Sequence, residues 1–213
     1  MQDPVSQPLQ AEKQALRVWL RRERARLAPP PDSADAAALT AALAERVDAE
    51  LQRTGARSIA VYAARQDEIS PQLIAERARA RGLLISYPRV DKSAPPMLTF
   101  HLCREAELEP GGFGVREPGA ALPAPPAIDA FIVPGLGFDR RGGRIGYGKG
   151  FYDAALRRQP AALRIAVGYD FQVVPAIPMG EQDEPVDLVV TPSERWPTGA
   201  RPLPSPTLKE ESP

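Results

Sequence analysis

Residues able to do chemistry concentrate in one stretch, residues 131–153, FIVPGLGFDRRGGRIGYGKGFYD. An apolar run ends at Pro134. A loop dense in glycine and positive charge follows, then an aromatic pair and an aspartate. Gly142, Gly143, Gly146, Gly148 and Gly150 leave backbone N–H groups unobstructed by Cβ atoms, and Arg141, Arg144 and Lys149 bring positive charge. A polyphosphate needs that combination. Asp139 and Asp153 flank the loop and are candidates to hold the metal that accompanies a nucleotide. The spacing is neither GxxxxGK[ST] nor G-x-G-x-x-G, because Gly146, Gly148 and Gly150 alternate strictly. The known fingerprints therefore leave the ligand unnamed, and a flexible hairpin remains the plain alternative.

A second constellation lies near the start. Lys13 and Arg17 are four residues apart, so a helix sets them on one face, where they can grip one phosphate chain. On spacing alone a solvated face is the better reading. The chain has only four lysines, and two of them fall in these proposed phosphate sites.

The elements that must position these residues alternate. Residues 9–27 read as a helix with Ala15, Trp19 and Leu20 on one face, stopped by Pro29, Pro30 and Pro31. Asp32 or Ser33 caps a second helix that runs to about Arg53 and ends at Gly55. Strands are expected at 58–63, 83–87, 97–102, 128–133, 163–169 and 186–191, with helices at 71–81 and 150–158 and a loop at 111–114. This is an α/β pattern: a three-layer α/β/α fold with a mostly parallel central sheet. Ligands of such sheets sit beyond the carboxyl ends of the strands, where the glycine loop emerges.

Composition bounds the rest. At 213 residues one domain is the default, over residues 9–195, with a flexible N-terminus at 1–8 and a proline-rich flexible tail at 196–213. Basic and acidic residues balance at 27 each, which argues against a general nucleic-acid binder. No stretch suits a signal peptide or a membrane span. Cys103 is the only cysteine, so no intrachain disulfide forms, as suits a cytoplasmic protein. His101, the only histidine, lies inside a strand pattern and reads as structural.

PGLGFDRRGGRIGYGKGFYD resembles the signature of the 5-formyltetrahydrofolate cyclo-ligases, P-G-x-x-F-D, a turn, then R-[LI]-G-x-G-x-G-[YF]-Y-D. Lys13-Gln14-Ala15-Leu16-Arg17 resembles the family's K-x-x-[LI]-R. YAARQDE at 62–68, YPRV at 87–90, residues 97–100 and 111–118, and VDLVVT at 186–191 follow in the family's order. The resemblance spans residues 13–191.

It implies an ATP- and Mg²⁺-dependent ligase acting on 5-formyltetrahydrofolate in one-carbon metabolism, a monomer or weak dimer whose partners are small molecules. ATP would contact Lys13, Arg17, Arg144, Ile145, Gly146, Tyr147, Gly148, Lys149, Gly150, Phe151 and Tyr152. Arg144 and Lys149 would stabilise the transferred phosphoryl group. Glu68, Phe113, Tyr147, Phe151 and Tyr152 would bind the folate, with only one of the adjacent pair Phe151 and Tyr152 facing it. Asp153 and Asp187 would hold Mg²⁺. Two departures stand out: Phe113 replaces a tryptophan found in some relatives, and Gln182-Asp183 stands where relatives often carry His-Asp. A non-catalytic nucleotide- or folate-binding module, or an enzyme of sugar phosphates, stays open beside this reading.

Overall fold

The computed structural model describes residues 6–65, 67–91 and 97–203. Helices α1 (Ser6–Leu27) and α2 (Ala34–Thr54) lead into strand β1 (Ser58–Ala60). Helix α3 (Gln72–Ala80), strands β2 (Leu84–Asp91) and β3 (Met97–Leu102), and a short hairpin of β4 (Glu109–Pro110) and β5 (Arg116–Glu117) follow. Strand β6 (Ala130–Val133), the hairpin β7 (Gly137–Phe138) and β8 (Arg144–Ile145), and helix α4 (Phe151–Arg158) come next. Strands β9 (Leu163–Val167), β10 (Leu188–Val190) and β11 (Arg195–Pro197) complete the chain.

Seven strands form the central sheet in the order β11-β10-β9-β6-β1-β2-β3. The five from β10 to β2 are parallel, and β3 and β11 close the two edges antiparallel. The expected α/β class with a mostly parallel sheet is therefore observed. The inner strands are buried on both faces, which is why they read as unbroken apolar runs. On one face Ile59, Ile85, Ile132 and Ile165 pack against Leu43, Val47 and Leu51 of α2 and Ile74 of α3. On the other, Phe131 and Val133 meet Leu156 of α4, while Phe138 of the β7–β8 hairpin meets Ala166 and Val189. Each such side chain contributes about 1.5–3 kcal/mol by leaving water. Ser33 Oγ accepts the Ala36 N–H at 3.1 Å and starts α2, and Gly55 ends it, as the sequence predicts.

Three expectations about boundaries change. Helix α1 begins at Ser6 rather than Leu9, and Pro8 lies in its first turn, where a missing N–H costs no helical bond. Strand β2 runs through Pro88, because beyond Ser86 it pairs with β3 alone and proline forfeits no bond to β1. The chain does not leave the core at Trp196. Leu188, Val189 and Val190 pair with Pro197, Trp196 and Arg195, and Thr198 Oγ1 donates to the Val186 carbonyl at 2.7 Å. Proline is compatible with an edge strand, and β11 is one. Residues 1–5 and 204–213 of the expected terminal segments lie outside the described residues.

Candidate active site

A cleft of about 500 Å³ opens beyond the carboxyl ends of β1 and β6, where Tyr62, Ala63, Pro134 and Gly135 emerge. Helix α1 forms one wall. Its inward stripe is Lys13, Leu16, Arg17, Leu20 and Arg24, not the predicted Ala15, Trp19 and Leu20; Trp19 is 48% exposed. Leu20 anchors the helix against Leu136, Ile145, Val174 and Ile177, and that register turns the flanking cations inward. A buried cation needs a partner. Lys13, 6% exposed, is ion-paired with Asp183. Arg17 Nε donates to the Gly146 carbonyl at 3.1 Å. Burial lowers the Arg17 pKa, opposed by the charge of Asp183.

The glycine loop forms the facing wall. Arg144 is buried and its Nη2 donates to Asp153 Oδ1 at 2.9 Å, while its Nε–H has no acceptor among the described residues. Gly148 has φ +88°, and a Cβ there would stand 3.2 Å from Arg17 Cζ, so both backbone shape and the nearby guanidinium call for glycine. Lys149 is exposed and forms no hydrogen bond or ion pair among the described residues; its Nζ lies 5.8 Å from the Phe113 ring centroid. The side chain of Ile145 packs into the core and its carbonyl accepts the Leu136 N–H at 2.8 Å, which leaves it little to offer a ligand beyond backbone. Helix α4 starts at this wall, and its first-turn N–H groups add partial positive charge.

Beside this cation-lined half lies an aromatic half. Glu68 Oε1 accepts the Tyr147 hydroxyl at 3.0 Å, and Oε2 accepts the Arg65 backbone N–H at 3.0 Å. Phe113 projects from the β4–β5 hairpin, 56% exposed, with a left-handed φ of +56° that a bulky side chain adopts only under constraint. Its carbonyl accepts from Arg65 Nη2, and its ring lies 5.9 Å from that of Phe151. Phe151 and Tyr152 both line the cleft. They do so differently: Phe151 faces Phe113, whereas Tyr152 also packs on the apolar clusters around the sheet. Burial, then the charge of Glu68, raises the pKa of Tyr147 and of Tyr152.

Five predicted site residues are not brought here: Asp139, Arg141, Gly142, Gly143 and Asp187. Asp187 precedes β10, at the amino end of the parallel strands; it is 1% exposed, accepts the Arg164 N–H at 2.8 Å and faces Arg201 at 3.5 Å. The structure does not place it at the expected metal: Asp153 lines the cleft and Asp187 does not. Asp139 shapes the β7–β8 turn by accepting the N–H groups of Arg141, Gly143 and Ile177. Gly142 takes φ +94° in that turn, where a Cβ would sit 2.7 Å from the Val186 carbonyl. Arg141 points to a separate shallow groove beside Trp196. His101 is structural as expected, held between the Leu122 carbonyl at 2.7 Å and Thr99 Oγ1 at 3.0 Å. The backbone carbonyl fixes Nδ1 as its protonated nitrogen.

Asp153 lies at the phosphate side and keeps one carboxylate oxygen clear for a metal. Both its hydrogen bonds, from Arg144 and from the Glu184 N–H at 3.1 Å, go to Oδ1. Mg²⁺ takes one or two carboxylates and fills its sphere with phosphate oxygens and water, so a single aspartate suffices. No group of three or more acidic, histidine or cysteine side chains suited to a metal occurs among the described residues. Sequence reasoning missed Arg24 and Arg65, and it missed Asp183 as the partner of Lys13. The signal for Arg24 was present: with Lys13, Arg17 and Leu20 it completes a stripe of helical period.

The fold and cleft define a small-molecule α/β enzyme with a cation-lined half and an aromatic half. Residues 9–192 match the 5-formyltetrahydrofolate cyclo-ligase family, and the chain belongs to it; it is a ligase. The 5-formyltetrahydrofolate cyclo-ligase of Mus musculus is 29% identical over 164 residues, covering 70% of this chain and 79% of that one. The Escherichia coli K12 enzyme of the same name is 32% identical, covering 66% and 81%. In structure, the 5,10-methenyltetrahydrofolate synthetase of Aquifex aeolicus matches with a TM-score of 0.73 at 24% identity, over 93% of this chain and 98% of that one. The Mycoplasma pneumoniae synthetase matches at 0.66 and 21%, over 84% and 98%, and both likenesses concern the fold.

Proposed function

We propose that the protein converts 5-formyltetrahydrofolate and ATP to 5,10-methenyltetrahydrofolate, ADP and phosphate with Mg²⁺. One observation carries this reading: a single cleft joins phosphate-seeking cations (Lys13, Arg17, Arg144, Lys149) to a carboxylate and aromatic rings suited to a flat heterocycle (Glu68, Phe113, Phe151). A formamide oxygen is a poor leaving group. It attacks the γ-phosphorus of ATP, the bond to ADP breaks, and an iminium phosphate forms. The N10 lone pair adds to the activated carbon, the N10 proton departs, and the C–O bond breaks to release phosphate and leave the methenyl bridge.

No protein nucleophile is needed. The residues position two substrates and stabilise developing charge. Lys149, with no carboxylate partner among the described residues, and Arg144, whose Nε–H has no acceptor among them, take the phosphoryl oxygens. Lys13 exchanges Asp183 for the phosphate chain. Glu68 pairs with ring N–H donors and Phe113 stacks on the ring. Asp153 would hold Mg²⁺, which would supply charge neutralisation on the polyphosphate.

The test mixes purified protein with 5-formyltetrahydrofolate, ATP and Mg²⁺ and follows the near-ultraviolet absorbance of the methenyl product. An ATP-dependent rise is expected; its absence overturns the assignment.

A further inference from the structure

We propose that Arg24 is a positioning residue, fixing Glu68 and Tyr147 in the orientation in which they receive the folate ring. The proposal rests on the function assigned above to the cleft. Arg24 is 2% exposed, on the inward stripe of α1. Its Nε and Nη2 fork onto Asp67 at 2.9 and 3.1 Å. Nη2 also donates to the Tyr147 hydroxyl, and Nη1 donates to the Gly135 carbonyl at 3.4 Å and reaches Glu68 Oε1 at 3.5 Å. Burial weakens the guanidinium charge, but Tyr147, Glu68 and Asp67 outweigh it and raise the pKa.

The arrangement is directional. The fork onto Asp67 already balances the charge of Arg24, so its reach toward Tyr147 and Glu68 serves geometry. Tyr147 accepts from Arg24 and donates its hydroxyl hydrogen bond to Glu68 Oε1, so phenol and carboxylate are set relative to one another by one buried group. The guanidinium of Arg65 lies 4.6 Å from the Tyr147 ring centroid and that of Arg21 5.2 Å, which holds the ring from turning. A flat ligand carrying adjacent N–H donors then meets a carboxylate whose direction is set before binding, and the ordering cost is lower.

A merely structural Arg24 would tie α1 to the loop after β6 and affect both substrates alike. Steady-state kinetics of Arg24→Gln, Tyr147→Phe and Glu68→Gln, singly and in pairs, separate the two. Arg24→Gln is expected to raise KM for 5-formyltetrahydrofolate by about tenfold or more while KM for ATP stays within about twofold. Tyr147→Phe, which leaves the Asp67 fork intact, should shift the folate KM in the same direction. In a Glu68→Gln background Arg24→Gln should add little. Equal losses on both substrates, full additivity with Glu68→Gln, or an unchanged folate KM overturns the proposal. If Arg24→Gln does not fold, Tyr147→Phe decides, and an unmoved folate KM in that variant overturns it. A wild-type protein without turnover overturns the function of the cleft, and Arg24 falls with it.

Discussion

Two aspartates, Asp153 and Asp187, look alike in sequence as metal candidates, yet they should respond oppositely to substitution. Asp187→Ala removes the acceptor that the buried Arg164 N–H has among the described residues and the charge facing Arg201. An orphaned buried donor costs about 1–3 kcal/mol. For a domain of this size each kcal/mol lowers Tm by about 2–4 °C, so a loss centred on about 4–8 °C is expected. Asp187→Asn keeps an acceptor for that N–H and loses only the charge facing Arg201, so a smaller loss than for alanine is expected. The pH dependence has a definite sign. Burial raises the Asp187 pKa, against the pull of the Arg164 N–H and the two arginines. The folded state therefore holds this proton more tightly than the unfolded chain. The contribution is fully present in acid, below the ordinary carboxyl value, and is lost as pH rises through the folded pKa. Neutral asparagine escapes that loss and offsets part of its own cost. Thermal unfolding beside Mg²⁺ titration of activity reads both effects: Asp187→Asn should keep its Mg²⁺ dependence, whereas Asp153→Asn should lose turnover. Asp187→Asn with an unchanged Tm and a weakened Mg²⁺ response would refute the reasoning.

Other outcomes follow from the same geometry. Lys149→Ala should lower kcat on the order of a hundredfold and leave Tm unmoved in a melting scan, because this side chain has no hydrogen-bond or ion-pair partner among the described residues. Gly148→Ala should destabilise by about 1–2 kcal/mol, since φ is +88° there, and raise KM for ATP by crowding Arg17. Denaturant titration and ATP-dependent kinetics check the two parts. All five tyrosines carry raised pKa values, with burial the leading cause at each. The folded state keeps phenolic protons that the unfolded chain releases near its ordinary value of 10.0, so this stability is present below that pH and lost above it. Phenolate absorbance should therefore rise together with unfolding; a full rise while the fold persists would contradict the burial of these rings.

What the sequence made legible was local. Ser33 and Gly55 mark the ends of α2 because capping chemistry is local. The apolar runs around Ile59, Ile132 and Ile165 announce inner parallel strands because both faces of such strands are covered. The glycine loop could be placed beyond a strand end for the same reason. What stayed hidden depended on partners far along the chain. Asp139 and Asp153 flank one loop, yet a turn absorbs the first and the cleft receives the second. Trp196 and Pro197 sit among prolines, and only the open edge of β10 explains why they pair. On α1 the usual reading fails outright: Trp19 is exposed and Arg24 buried, because the loops after β6 and β9 offer that face hydrogen-bond acceptors as well as apolar contacts.

A chain of zero net charge can hold so many cations in one cleft because each buried one brings its own counter-ion. Lys13 has Asp183, Arg24 has Asp67 and Arg144 has Asp153. Without these partners every buried cation would cost several kcal/mol of desolvation. The pairing keeps the cleft folded without a ligand and sets the terms on which an anion enters. On the proposed function, a polyphosphate must offer Lys13 and Arg144 more than Asp183 and Asp153 do, and it can, because its charges are several and closely spaced. Arg24 differs in that its fork onto Asp67 is bidentate, the geometry least easily exchanged. The division of labour follows from partner geometry: single-point ion pairs where the substrate must compete, a fork where the arrangement must stay put.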